Sequence, residues 1–256
     1  MAQVRLKHNR MEQQEMIYGT HAILEALRDC KPIDQILIKK QSDNEQIREI
    51  IYLARKQNVT IKSVPIEKLN RLTKKAHQGI IAFMSPIEFQ DIEQIVPSLF
   101  EKGETPFLVI LDQVCDVRNF GAITRTCECM GVHAIIIPQK GAAQIGADAV
   151  KTSAGALLKI PVCKVKSLKG AIAFLKDSGI QIMCAAEKFS KNCNEADFTQ
   201  PLGLVLGAEE NGIEESIIEM ADNCVKIPMK GEISSLNVSV AAGMCIYEVC
   251  RQRGIS

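Results

Sequence analysis

Apolar and polar positions alternate along the chain in two blocks. In the first block, Thr20–Arg28 (THAILEALR) places Ile23, Leu24 and Leu27 on one helical face, with Thr20 as its N-cap. An apolar strand follows at 33–40 (IDQILIKK), then a helix at 43–57. A strand at 59–64, a short helix at 66–75 and a strand at 79–84 complete a small α/β unit. Residues 86–105 hold one weak helix ending at Gly103 and are punctuated by Pro86, Pro97 and Pro106, as a linker would be. The pattern therefore divides the chain into a tail (1–14), a first domain (15–88), a linker (89–105) and a second domain (106–256). Met11 and Met16 are alternative starts, which makes the tail an expected mobile segment.

The second block repeats short apolar runs at 107–112, 134–138, 161–165, 181–186, 203–207 and 225–229. Helical patterns around 121–130, 146–158, 167–177, 213–222 and 237–252 separate them. Apolar strands alternating with helices predict a largely parallel sheet covered on both faces, so the fold class is α/β.

Charge refines this division. Residues 1–88 carry 15 Lys+Arg against 10 Asp+Glu, and residues 89–256 carry 16 against 20. A basic first part on a mildly acidic remainder points the first domain at a polyanion. Ten cysteines show no C-x-x-C spacing and no histidine placed to suggest a zinc finger, so zinc is not expected. Several lie in apolar runs, where they act as small buried hydrophobes. The N-terminus lacks the apolar core of a signal peptide, and no run reaches the ~20 residues of a membrane span. The expectation is a cytoplasmic protein with reduced thiols and no membrane partner.

Ligands of open α/β sheets bind beyond the carboxyl ends of the strands. Three loops at such positions carry unusual residues. After FLVILD, the stretch QVCDVRNFGAITR sets Asn119 and Arg125 six apart with Gly121 between them. A helix capped by Asn119 with a solvated Arg125 explains that loop equally well. After GLVL comes GAEENG (207–212), two glycines bracketing two acids and an amide. The third loop, IPMKGEISSLNVS (227–239), offers Ser234, Ser235, Ser239 and Asn237 before an Ala-rich helix, and Asn237 could equally be a plain cap. No G-x-G-x-x-G follows an early strand, and no Walker loop, G-x-S-x-G elbow or H-E-x-x-H occurs.

Taken together, N-x-G-x-x-x-R-x-x-x-x-x-G (119–131), LGAEENG and IPM-x-G-x-x-SSLNVSVA resemble the three motifs of the SpoU/TrmH family. These are RNA 2′-O-ribose methyltransferases of the SPOUT superfamily. IYGTHAILEAL (17–27) and HQGIIA (77–82) resemble the small L30e/L7Ae-like RNA substrate-binding domain that precedes the catalytic domain. Within the family the sequence is most similar to bacterial enzymes that methylate a guanosine ribose of 23S ribosomal RNA.

The resemblance implies a C-terminal trefoil knot, a homodimer and S-adenosyl-L-methionine as cofactor. It implies that Gly207, Ile227 and Leu236 contact that cofactor largely through their backbones, with Leu206 and Met229 nearby. Arg125 matches the residue assigned to activating the ribose hydroxyl. A guanidinium keeps its proton, so the expected role is holding phosphate and stabilising the developing alkoxide. Asn119, Ser235 and Asn237 would orient Arg125 and the ribose, and Glu209 would position loops or the partner subunit. No metal is required, because the transferred methyl is already electrophilic. Lys39, Lys40, Arg71, Lys74 and Lys75, with His77 and Gln78, are the expected RNA contacts. With no Trp and three Tyr, an extensive stacking platform is not expected. Helix 238–249 is the expected dimer interface.

Two alternatives stand beside this reading. One is ribose methylation of transfer RNA, against which the additional N-terminal domain argues. The other is a non-catalytic RNA-binding ribosome-assembly factor, against which the joint presence of Asn119, Arg125, Glu209, Ser235 and Asn237 argues.

Overall fold

Backbone hydrogen bonds sort the strands into two sheets, one in each of two compact units. The computed structural model describes residues 15–42, 44–208, 210–232 and 235–254. The expected tail at 1–14 lies outside the described residues, as do Glu209 and Ser234. One unit extends to Pro86 and takes in Ile145–Asp148; the other comprises Ile87–Gln144 and the chain from Ala149 onward.

The first unit contains β1 (Met16–Tyr18), α1 (Thr20–Arg28), β2 (Ile33–Lys39), α2 (Glu45–Lys56), β3 (Thr60–Val64), α3 (Ile66–Leu72) and β4 (Ile80–Met84). Its sheet order is β1-β4-β2-β3. β4 runs antiparallel to both β1 and β2, whereas β2 and β3 are parallel. β1 escaped the sequence pattern because three residues are too few to display a period. Asn44 caps α2 by accepting from Ile47 N at 2.8 Å. α3 ends at Leu72 rather than 75, because Thr73 turns to extended backbone. Thr20 is the first residue of α1, with Gly19 at the cap position at φ +88°. The core behind α1 and α2 is built from Ile23, Leu27, Ile36, Ile47, Ile50 and Ile80.

The second unit opens with α4 (Ile92–Glu101). This stretch was expected to be a linker, yet Ile92, Val96 and Leu99 are buried in the core of the unit. The physical reason is its amphipathic face, which removes those side chains from water at one per turn. Then follow β5 (Phe107–Asp112), α5 (Val117–Cys129), β6 (Ala134–Pro138), α6 (Ala147–Thr152), β7 (Val162–Val165), α7 (Leu168–Asp177), β8 (Gln181–Ala185), β9 (Leu202–Gly207), α8 (Glu215–Ile218), β10 (Asn223–Val225) and α9 (Val238–Gln252). The sheet order is β10-β8-β9-β5-β6-β7, and every pairing is parallel, as the continuous apolar runs predict. β5 is central, with all six residues buried.

Three helices or strands are shorter than the pattern predicts. The 146–158 helix breaks after Thr152, where Ala154 and Gly155 take positive φ, and resumes as a short 3-10 turn. The 213–222 helix shrinks to α8. The 225–229 strand leaves the sheet after Val225; Pro228, lacking an N–H, cannot extend a ladder.

Candidate active site

β5 and β9 are neighbours in the sheet although their starts lie 95 positions apart in the chain, with β6 and β7 built on one side and β8 on the other. Such a reversal of strand order leaves a crevice at the carboxyl ends. A cavity of about 220 Å³ lies there, enough for a small organic molecule rather than a single water. Three chain segments wall it: 185–188 at the end of β8, residues 206–208 and 210–213 at the end of β9, and residues of 227–241 that follow β10 and enter α9. All five residues expected at the cofactor, Leu206, Gly207, Ile227, Met229 and Leu236, line it, and so does Ser235. Met229 and Leu236, 38% and 36% exposed, present large apolar groups to solvent at its rim. Glu187 and Glu210 place carboxylates on the wall, while Lys188 is engaged by Glu215 at 2.8 Å.

Local sequence explains the loop after β9. A Cβ on Gly207 would lie 2.2 Å from the Gly212 carbonyl carbon, so only glycine permits this close turn. Gly212 itself sits at φ +65° and donates its N–H to the Ala208 carbonyl at 2.9 Å. At the foot of the loop the Glu214 N–H donates to Asp112 Oδ2 at 2.8 Å. Burial pushes the Asp112 carboxyl above its ordinary value, opposed by that hydrogen bond.

Asn119 and Arg125 both lie on α5, which begins four residues earlier than the expected 121. Asp116, not Asn119, is its cap, accepting from the N–H groups of Arg118 and Asn119 at 2.9 and 2.8 Å. Asn119 is thereby free of capping duty and accepts from Asn237 Nδ2 at 3.0 Å. Asn237 does cap its own helix, α9, while its Nδ2 is engaged with Asn119. The first and third motifs are thus joined directly, and Ser235, Leu236 and Val238 on either side of Asn237 face the cavity. Arg125 is exposed and does not line the cavity. Six residues at 100° per residue carry it to another face of α5 than Asn119, and the same face as Arg118, seven residues before it. Gly121, the glycine of the first motif, serves packing: a Cβ there would lie 2.1 Å from Thr152 Oγ1. Glu209 lies outside the described residues.

Sequence reasoning overlooked Ala185–Lys188, Ile213, Val238 and Ala241 in the wall, and Asp112 and Asp116 behind it. The available signal for 185–188 was position alone, immediately past the end of a parallel strand. The thiols behave largely as expected: Cys127, Cys163, Cys184, Cys193, Cys245 and Cys250 are buried, while Cys30, Cys115 and Cys129 are exposed. Burial pushes Cys184 and Cys245 up to about 12, which makes them inert.

In the first unit, the register pairs Tyr18 with Ile81 and Ile38 with Ile80. The ends of β1 and β2 and the loop entering β4 therefore meet at one end of the sheet. Lys39, Lys40, Lys74 and Lys75 are exposed there, and Arg71 is exposed in the last turn of α3. Gln78 Oε1 accepts from Thr20 N at 3.0 Å, and Gly79 O accepts from Lys39 N at 2.8 Å. His77 is buried, hydrogen-bonded to Asn70 Oδ1 at 2.9 Å and accepting from Gly79 N at 3.1 Å, so it shapes the loop rather than projecting from it. Lys75 Nζ stands 5.5 Å from the Tyr18 ring centroid. Among the described residues, no helix is long and apolar enough to cross a membrane.

Known proteins match both units. Residues 106–247 match the SpoU rRNA Methylase family, and residues 16–90 match the RNA 2′-O ribose methyltransferase substrate-binding family. YacO of Bacillus subtilis, assigned to the TrmH family of tRNA/rRNA methyltransferases, is 34% identical over 242 residues, 94% of this chain and 97% of its own. The SpoU methyltransferase AviRb of Streptomyces viridochromogenes, solved with AdoMet, superimposes with a TM-score of 0.60 at 24% identity. The alignment covers 94% of this chain and 91% of AviRb. A TrmH/SpoU tRNA-modifying enzyme of A. aeolicus is 34% identical with a TM-score of 0.54, covering 63% of this chain and 84% of its own.

Proposed function

Because the chain belongs to the SpoU rRNA Methylase family, we propose that it transfers a methyl group from S-adenosylmethionine to a ribose 2′-hydroxyl of ribosomal RNA, a guanosine of the large subunit. The observation that carries this reading is the Asn237–Asn119 hydrogen bond, which joins the cavity wall to the helix bearing Arg125.

The cavity suits the cofactor. Leu206, Ile213, Ile227 and Val238 offer apolar surface to a flat base, and the exposed Met229 and Leu236 are rim groups that a ligand would cover. Gly207, Ala208 and Gly212 bring backbone close to it, and Glu187 and Glu210 complement a cationic centre. When bound, S-adenosylmethionine supplies a methyl already activated by a sulfonium.

The protein's own groups do the remainder. Arg125 holds an RNA phosphate and stabilises the ribose oxygen as that oxygen gives up its proton to solvent water. Asn119 and Asn237 fix the helix that carries Arg125, and Ser235 orients the sugar. Lys39, Lys40, Lys74 and Lys75, gathered at one end of the first sheet with Arg71 close by in sequence, bind the RNA backbone.

Three further parts belong to the same reading. The protein is a homodimer: Val240, Met244 and Tyr247 are 51%, 46% and 61% exposed at i, i+4 and i+7 of α9, a stripe suited to a second copy. The C-terminal domain carries the trefoil knot implied by the family. The protein works in the cytoplasm, in keeping with ten free cysteines.

Ribosomal RNA is favoured over transfer RNA because the substrate-binding family matches residues 16–90, whereas the A. aeolicus tRNA-modifying enzyme aligns with 63% of this chain. Ribose methylation mapped across ribosomal and transfer RNA, with and without the gene, tests this. The expected result is loss of one methylated guanosine ribose in large-subunit RNA. Loss at a transfer RNA position would replace the substrate, and an unchanged map in both would overturn the reading.

A further inference from the structure

We propose that Asp112 is a positioning residue for cofactor binding, holding Gly207, Gly212 and Ile213 in their binding shape through the Glu214 backbone N–H. The inference rests on the cofactor reading above and adds a residue that touches no part of the cavity.

β5 is apolar and buried from Phe107 to Leu111, yet its last residue is a carboxylate with 3% exposure. A carboxylate in so dry a place is costly unless something matches it. Its match is the Glu214 N–H, 102 residues away in sequence and 2.8 Å from Oδ2. On the other side, Asp112 is the register partner of Gly207, the last residue of β9. One residue therefore meets both feet of the loop, through its backbone register where β9 ends and through its side chain where α8 begins.

Between those feet, Gly212 N donates to Ala208 O, and Gly207 packs against the Gly212–Ile213 backbone too closely for any side chain. Gly207, Ala208, Gly212 and Ile213 all line the cavity. A frame this tight transmits the position of Glu214 to the wall, so releasing that foot releases the cofactor's contacts. Burial raises the carboxyl's pKa, which is the electrostatic cost of keeping an acid at that foot.

Three full-length variants test this by calorimetry with S-adenosylmethionine, by steady-state methyl transfer and by thermal melting. Asp112→Ala removes the acceptor. Asp112→Asn keeps a carbonyl oxygen in its place. Glu214→Pro removes the donor from the other side, at a residue whose φ of −56° a proline accepts. Asp112→Ala and Glu214→Pro should each weaken cofactor affinity and raise the cofactor KM about tenfold or more. Turnover at saturating cofactor should stay within about twofold, and Asp112→Asn should recover most of the affinity. Variants that melt earlier yet bind the cofactor as wild type does would overturn the inference, leaving Asp112 a stability residue. Equal losses in Asp112→Asn and Asp112→Ala would overturn it too. Wild type that binds no S-adenosylmethionine would defeat the cofactor reading itself; wild type that binds while all three variants bind equally would defeat this inference alone.

Discussion

Asn237 donates from Nδ2 to Asn119 Oδ1 at 3.0 Å, while its own Oδ1 accepts from Ser239 N and Val240 N at 3.0 and 3.4 Å. One amide therefore begins α9 and ties it to α5. The two functions separate by substitution. Asn237→Asp keeps the cap, which Asp performs as well as Asn, but sets an oxygen against Asn119 Oδ1. It should melt close to wild type and lose methyl transfer on the order of a hundredfold, through misplacement of the catalytic helix. Asn237→Ala should lose about 1 kcal/mol of stability as well. Melting curves beside transfer rates decide the matter; full activity in Asn237→Asp would confine the residue to capping.

Much of this was legible in the sequence, for identifiable reasons. Short continuous apolar runs such as Phe107–Leu111, alternating with helical patterns, read as strands buried on both faces, so the parallel sheet followed directly. The five expected cofactor residues line the cavity because loops after parallel strands converge. Other parts were hidden because they depend on pairs distant in sequence. Asp112 reads as the end of a strand until Glu214 is placed against it, and Asn119 reads as a cap until Asp116 is found in that position. The 89–105 stretch reads as a linker because Pro97 and the flanking Pro86 and Pro106 outweigh a short amphipathic face whose partner surface is built by later elements.

Gly121 packs α5 against Thr152. A Cβ at Gly121 would lie 2.1 Å from Thr152 Oγ1, 2.6 Å from its Cβ and 2.9 Å from its backbone carbon. Gly121→Ala should destabilise the protein by about 1–3 kcal/mol despite the better helix propensity of alanine. Thr152→Ala should give little relief, because the Cβ and backbone contacts persist. Urea unfolding of the single and double variants checks both statements.

Arg253 closes the second unit at its C-terminal end. Its Nε donates to Phe198 O at 2.9 Å, Nη1 to Thr105 O at 2.9 Å, and Nη2 to Gln200 O and Pro106 O at 2.7 and 3.3 Å. The guanidinium also lies 5.2 Å from the Phe107 ring centroid. Arg253→Ala should cost about 2–3 kcal/mol. Arg253→Lys should restore little of it, since an ammonium cannot span four carbonyls arranged for a planar fork. Chemical denaturation measures both, and a lysine variant as stable as wild type would contradict the account.

His133 makes stability depend on pH. Phe107 N donates to its Nδ1 at 2.9 Å, which requires the neutral ring. Burial lowers its pKa, partly opposed by Glu104. Below the ordinary imidazole value of about 6.5 the unfolded chain takes up a proton that the folded chain resists, so stability falls with pH in that window and is constant above it. Between about pH 7.5 and pH 5.5, wild type should lose more stability than His133→Asn. Parallel losses in urea titrations would remove His133 as the cause.

The central claim is that methyl transfer depends on Arg125, a residue outside the cofactor cavity. It is tested most directly with Arg125→Ala, by pairing calorimetric titration of S-adenosylmethionine with transfer of its labelled methyl to ribosomal RNA. The account predicts unchanged cofactor affinity and a transfer rate lowered on the order of 10²–10³ or below detection. An Arg125→Ala protein that methylates ribose at the wild-type rate would contradict it.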